Sequence, residues 1–307
     1  MNYAELWQII QDYTQNYEQT FVANIPVFVT QAEERIYNTV QILPLRRNVT
    51  GITQQNSPYL TCPTDFLSAF SMAVIDADGN YEYLLNKDVN FLRSAYPNPD
   101  DTGIPKYYAL FGPEVLNRAA TNELSFMLAP TPDDRYDVEL HYYYYPVSIV
   151  QGIIRLLGTI TGGSGYTNGS YYRVPLTGGT GSGATADIIV SGGAVTAVTL
   201  RSGGSFYTAG DVLSASTAYL GAGTGFSVPV STLINPDGSS WLGDNYSPVL
   251  LYGSLVEAYI FMKGEEDMMK YYEAKFKEAL GQLNRLGTGL DRGDAYRDGQ
   301  ARIKVTQ

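Results

Sequence analysis

Residues 178–210, GGTGSGATADIIVSGGAVTAVTLRSGGSFYTAG, admit two opposite readings. Gly179-x-Gly181-x-x-Ala184 fits the loose spelling of a dinucleotide-binding fingerprint, which would make this an α/β chain. Such a loop needs a hydrophobic strand before it, a helix after it whose N-terminus faces the pyrophosphate, and an acidic residue about 20 positions on. The residues that follow, TADIIVSGGAVTAVTL, are β-branched and interrupted by Gly192-Gly193, so they do not propagate a helix. No acidic residue stands between Asp187 and Asp211, and no Gly-Lys-Ser/Thr follows the glycines as a P-loop requires. The stretch predicts a β-hairpin turning at Ser191-Gly192-Gly193-Ala194, without a phosphate or a cofactor.

The surrounding segment, 151–235, holds over half of the 31 glycines, is rich in Thr and Ser, and carries few charges. It also repeats. Gly162-Gly163-Ser164-Gly165-Tyr166-Thr167-Asn168-Gly169 aligns with Gly203-Gly204-Ser205-Phe206-Tyr207-Thr208-Ala209-Gly210, and GSGATADI from Gly181 aligns less closely with GTGFSVPV from Gly223. A period of about 41 residues predicts a duplicated β unit.

On both sides of this segment the periodicity is helical. Leu6, Ile9, Ile10 and Tyr13 predict a helix between Ala4 and Tyr17, and Phe28, Val29, Ala32, Ile36 and Val40 a second from Ile25 to about Ile42, with Pro26 in its first turn. Ser247-Pro248 caps an apolar helix that Gly264 ends. EEDMMKYYEAKFKEALGQLNRLG forms the last, closed by Gly287. From about Val49 to Val147 the runs are short and strand-like: SPYLTCP, AFSMAVIDADGNYEYLL, PKYYALFGPEVLNRA, ELSFMLAPTP and DVELHYYYYPVSIV, with Asp78-Gly79-Asn80 at a hairpin turn. The expected fold class is α+β: a helical layer of N- and C-terminal helix pairs packed with a small antiparallel β-sandwich, plus an inserted all-β domain. The expected domains are a discontinuous core of 1–150 and 236–287, the insertion at 151–235, and an extended C-terminal arm at 288–307.

Composition narrows the chemistry. No apolar run is long enough to span a bilayer, and MNYAELWQIIQDYTQNYEQ lacks the cationic and apolar regions of a signal peptide, so a soluble chain made without one is expected. A net charge of -11 argues against broad attraction to phosphate backbones or anionic membranes. The single cysteine, Cys62, excludes an internal disulfide and a multi-cysteine zinc site, and reads as a small buried or half-buried side chain. A Ser-His-Asp or Cys-His mechanism would have to use His141, the only histidine, whose alternating context ELHYYYYP says strand. Asp133-Asp134, Glu265-Glu266 and Asp291/Asp294 could serve as carboxylate pairs, yet adjacent charges in turns and helix starts read as solvated. Neither catalytic nor metal residues are assigned. The 26 tyrosines supply stiff, amphipathic contact area of the kind that sticks to protein or sugar.

IPVFVTQAEERI (25–36), CPTDFLSAF (62–70), IPKYYALFG (104–112), VELHYYYYP (138–146) and SSWLGDNYSPVLLYGSLVEAYIF (239–261) resemble, in that order, the head-to-tail adaptor proteins of short-tailed bacteriophages. The resemblance covers roughly 1–148 and 236–290, and the segment 151–235 departs from it. It implies a non-enzymatic virion protein of the phage neck and tail, made in the host bacterial cytoplasm, without cofactor or metal. It further implies a ring, typically of twelve copies, beneath the portal of the DNA-filled head, holding the tail nozzle and fibres and letting DNA pass unbound. Carried over, Ile25–Val40 and Pro248–Leu286 become the ring-forming helices, with Phe28, Ile36, Tyr259, Tyr272 and Phe276 on them. Thr288–Gln307 becomes the portal-binding arm, with Asp291, Arg292, Arg297, Arg302 and Lys304. An acidic surface suits such a channel, since a basic lumen would hold the phosphates. The alternative is a receptor- or glycan-binding tail protein that stacks sugar on Tyr166, Tyr171, Tyr172 and Tyr207; a carboxylate-based glycosidase is a third reading.

Overall fold

The computed structural model describes the backbone of residues 1–98, 100–112 and 124–295, and the side chains of these as far as residue 287. The fold is α+β, with helices toward both ends of the chain. First come α1 (Tyr3–Thr14) and α2 (Gln19–Thr39). A sandwich region follows: β1 (Arg46–Ile52), β2 (Tyr59–Thr61), β3 (Phe66–Ile75), β4 (Tyr81–Tyr83), β5 (Leu85–Asn86), α3 (Val89–Ala95), β6 (Tyr107–Phe111), β7 (Ser125–Ala129) and β8 (Asp137–Tyr144). The glycine-rich region contains β9 (Ile153–Leu157), β10 (Thr161–Ser164), β11 (Gly169–Thr177), β12 (Ser182–Ser191), β13 (Ala194–Ser205), β14 (Val212–Ala215), α4 (Thr217–Leu220) and β15 (Thr224–Ile234). Then come α5 (Trp241–Asn245), α6 (Ser247–Met262) and α7 (Glu266–Ala295). The chain divides into two compact units, one of residues 41–146 and one of residues 1–40 with those from 147 on.

The unit of 41–146 is a sandwich of two four-stranded sheets, ordered β1-β8-β3-β4 and β2-β7-β6-β5. Alternation explains it. On β8, Val138, Leu140 and Tyr142 point inward at every second residue and join Phe66, Met72, Val74, Tyr108, Phe126 and Leu128 in one core. The sheets are antiparallel except for one pair: Leu85–Asn86 of β5 runs parallel to Tyr107–Tyr108 of β6. A parallel pair needs a crossover, and α3, which the sequence reading lacks, supplies it. Asp88 caps α3 by accepting from the Asn90 N–H at 2.7 Å.

In the other unit, α1 starts on a capping box: the Glu5 N–H donates to Asn2 Oδ1 and the Asn2 N–H to Glu5 Oε2. α2 begins at Gln19, six residues before the expected start, so Pro26 is interior. Burying Phe21 and Ile25 outweighs the one backbone bond that Pro26 cannot donate. α6 is apolar on all sides and accordingly lies at the centre, packed against α1, α2 and α7. Arg35 of α2 binds Glu273 of α7 at 2.6 Å and lies over the Phe276 ring at 4.8 Å. α7 runs on to Ala295, past Gly287 and into the segment expected to be an extended arm; residues 296–307 lie outside the described residues. A glycine inside a helix costs about 1 kcal/mol, which weakens a helix without obliging it to stop.

Glu33 of α2 is 3% exposed. Its Oε1 accepts the Ile149 N–H at 2.8 Å, while Oε2 is buried without a hydrogen-bond partner. Burial raises the carboxyl to about 7; the Ser148 side chain and the Ile149 N–H hold it lower than burial alone would, and the charge of Glu34 adds to the rise.

The glycine-rich region forms a seven-stranded sheet with the order β10-β15-β14-β11-β12-β13 and with β9 beside β15. The hairpin turn falls where the sequence places it, since Ser191 pairs with Ala194 across Gly192-Gly193. On β12, Ala184, Ala186, Ile188 and Val190 alternate inward to meet Tyr166, Val174, Leu213, Phe226 and Val228. The two aligned segments take corresponding geometry. Gly163 and Gly204 have φ of +65° and +60°. A Cβ on either would stand 2.3 Å from a backbone oxygen, that of Thr224 or of Ser182. Ser164 pairs with Thr224 of β15 as Ser205 pairs with Ser182 of β12, and both Tyr166 and Tyr207 are buried.

Candidate interaction surfaces

Four of the side chains that could carry catalysis make structural bonds. On β8, His141 faces Ser71 of β3, with Nδ1 3.1 Å from Ser71 Oγ and Nε2 3.5 Å from Glu139 Oε1. Asp133 accepts the Tyr136 hydroxyl at 2.7 Å, Asp134 accepts the Arg135 N–H at 2.7 Å, and Glu266 pairs with Lys270 at 2.7 Å. The side chains of Asp291 and Asp294 lie beyond the described ones. Cys62 is buried and its thiol is pushed up to about 12, so it stays protonated and unreactive at neutral pH. Among the described residues no three His, Cys, Asp or Glu side chains converge as a metal site. A recess of ≈ 830 Å³ in the sandwich unit is lined by Glu82, Asp100, Asp101 and Lys106, with Tyr96, Ile104 and Pro130. It is wide and open to solvent.

What the surface offers instead is aromatic contact area. Of the five side chains read as marking the ring-forming helices, Phe28, Ile36, Tyr272 and Phe276 are buried in the chain's own helical layer. Tyr259 is half-buried with its ring 4.9 Å from that of Tyr272, whose hydroxyl is pushed up to about 12, first by burial. These side chains hold the helices to one another. The same helices expose Val27, Ile260, Phe261, Met268 and Tyr271, and α1 exposes Tyr13. Phe261 stands 5.1 Å from the Phe28 ring and 6.3 Å from that of Phe21, so its exposed ring extends the inner aromatic cluster to the surface. Exposed aromatics resting on a rigid core are the composition of protein–protein contact sites. In the sandwich unit Phe70, Tyr81, Tyr83, Leu85 and Phe91 are exposed as well.

For the portal-facing set, Asp291 and Arg292 fall in the last turns of α7, while Arg297, Arg302 and Lys304 lie outside the described residues. The sugar-stacking alternative loses half its surface: Tyr166 is 7% exposed, with its hydroxyl accepting the Phe226 N–H, and Tyr207 is 3% exposed. Tyr171 is half-buried and Tyr172 is exposed.

The exposed aromatic faces offer area for contact with other proteins. Residues 1–156, just over half of the chain, match the family described as SU10 adaptor protein, and the chain belongs to that family. The match spans α1, α2 and the whole sandwich and stops inside β9, where the glycine-rich region starts. No curated protein matches the chain. As a member of that family it is a phage structural adaptor, a virion component that interacts with other head–tail proteins. Among the described residues no helix is long and apolar enough to cross a membrane.

Proposed function

We propose that this protein is the head-to-tail adaptor of a short-tailed phage, assembled as a ring of twelve copies that joins the portal to the tail nozzle and fibres and lets DNA pass. The observation that carries this reading is the family match across the N-terminal helices and the sandwich. Two physical features support it. Ring closure by identical subunits is head to tail and needs two different sticky faces on each copy, and the helical layer and the sandwich unit each expose aromatic side chains. A net charge of -11 suits a channel that DNA must pass without being held. In this reading contact with neighbouring copies falls to Tyr13, Val27, Phe261 and Tyr271, while Phe28, Ile36, Tyr272 and Phe276 keep the helices rigid behind them. The glycine-rich region is a duplicated β insertion mounted on the adaptor, which the corresponding geometry of Gly163 and Gly204 supports.

The portal contact is assigned to residues 288–307, with Asp291, Arg292, Arg297, Arg302 and Lys304 as its charged groups. Removing 288–307 is expected to weaken co-sedimentation with portal particles far more than it changes the fold, with the far-ultraviolet circular dichroism reduced only by the helical turns of 288–295. Undiminished co-sedimentation would remove the arm from the account.

A further inference from the structure

The two copies of the Gly-Gly-Ser motif differ at the next position. After Ser164 stands Gly165, with φ +79°; after Ser205 stands Phe206, with φ +62°. The turn is the same, so the second copy forces a large aromatic residue into the left-handed region that the first gives to glycine. Phe206 is also absent from the buried core of the glycine-rich region, to which its neighbour Tyr207 belongs. Strain at a residue that its own fold does not use points to a task elsewhere.

The ring lies on α1. Its centroid is 5.0 Å from that of Tyr3 and 5.7 Å from that of Trp7, the latter edge-on. Both chain crossings between the helical layer and the glycine-rich region meet at this place. The Phe206 N–H donates to Gln151 O at 2.7 Å and the Tyr207 N–H to Gly152 O at 3.2 Å, which hold the ingoing crossing. The Tyr3 N–H donates to Gly238 O at 2.8 Å on the returning one, and Asn235 Nδ2 donates to Ser148 O at 2.8 Å, tying one crossing to the other. These bonds link short connecting segments, and the aromatic contact adds a side-chain seat on α1 beside them.

We propose that Phe206 is a peg that locks the glycine-rich region onto α1 through Tyr3 and Trp7, so that region and helices move as one body. A second copy of the repeat has thereby been turned from a free β element into an anchor, by replacing the residue that the turn prefers. A region clamped in this way transmits force and orientation from the helices, which a tethered domain on two loose strands would not.

Hydrogen exchange on the full chain tests this, because Phe206→Gly returns the turn to its relaxed residue and should leave the β fold intact. The amides of Tyr3, Gly152 and Tyr207, which close the joint, are expected to exchange about tenfold or more faster, while Ala184, Ala186 and Ile188 within β12 keep their protection. Trp7→Ala, which leaves the glycine-rich backbone untouched, should accelerate the same joint amides. The double variant should then go no further than Phe206→Gly, since both remove one contact. Unchanged joint amides in Phe206→Gly, equal acceleration within β12, or effects of the two substitutions that multiply independently would each overturn the peg.

Discussion

Gly204→Ala is expected to be among the most damaging single-atom changes in this chain, lowering the stability of the glycine-rich region by roughly 2–5 kcal/mol. The sum has two sources. Placing alanine at a φ of +60° costs about 1–2 kcal/mol, because Cβ then crowds the following carbonyl. The added methyl would also stand 2.3 Å from Ser182 O and 2.7 Å from Ala184 N, and forcing an atom into a packed site adds about 1–3 kcal/mol. Both obstructing atoms are backbone of β12, so relief requires the strand to move and the Ser182–Ser205 pairing with it. Gly192→Ala separates the two contributions: φ there is +64°, and a Cβ meets nothing within 4 Å. It should cost only the first, about 1–2 kcal/mol. Calorimetric unfolding of the two variants checks this, and equal losses would show that close strand contact is not what requires glycine at 204.

Glu33→Gln is expected to make the chain more stable at pH 8 by on the order of 3 kcal/mol and to have little effect near pH 4.5, at 1.36 kcal/mol per pH unit. A glutamate ordinarily titrates near 4.5, and burial in the fold raises this one to about 7. Between those values the folded chain holds a proton that the unfolded chain has released. Its stabilisation is therefore complete below about 4.5 and lost as pH rises through about 7. Above that, folding carries a buried carboxylate with one unpartnered oxygen. Glutamine keeps an acceptor for the Ile149 N–H and never ionises. Denaturation midpoints of both chains from pH 4.5 to 8 should diverge with rising pH; a constant difference would mean that Glu33 is not the titrating group.

The opening stretch was legible because its negative evidence was local: β-branched residues and paired glycines after the fingerprint rule out the helix that a nucleotide loop needs. Strands with strict alternation, such as the one around His141, were legible for the same reason. The start of α2 was not, because Pro26 reads as a first-turn residue unless one knows that Phe21 and Ile25 are buried by other elements. The end of α7 was missed because Gly287 can close a helix or merely weaken it. α3 and the parallel β5–β6 pair hid in a seven-residue helix too short for a clear period, although Asp88 gave its cap.

The interaction residues show a different limit. A stripe such as Phe28, Ile36, Tyr272 and Phe276 announces burial, and nothing in its spacing says whether the covering atoms belong to the same chain. Val27 and Phe261 lie off the stripes that the spacing picks out, and Tyr13, which keeps the period of α1, is exposed all the same; all three are among the aromatic and apolar groups left at the surface. Phe206 was aligned with Gly165 in the sequence, and only its φ and its seat on α1 give that mismatch meaning.

The central claim is that this adaptor works as a ring. Electron microscopy of the purified full-length protein, alone and mixed with portal, tests it most directly. The account predicts closed rings of twelve subunits around an open channel in at least the portal-bound sample; a chain that stays monomeric in both would contradict it.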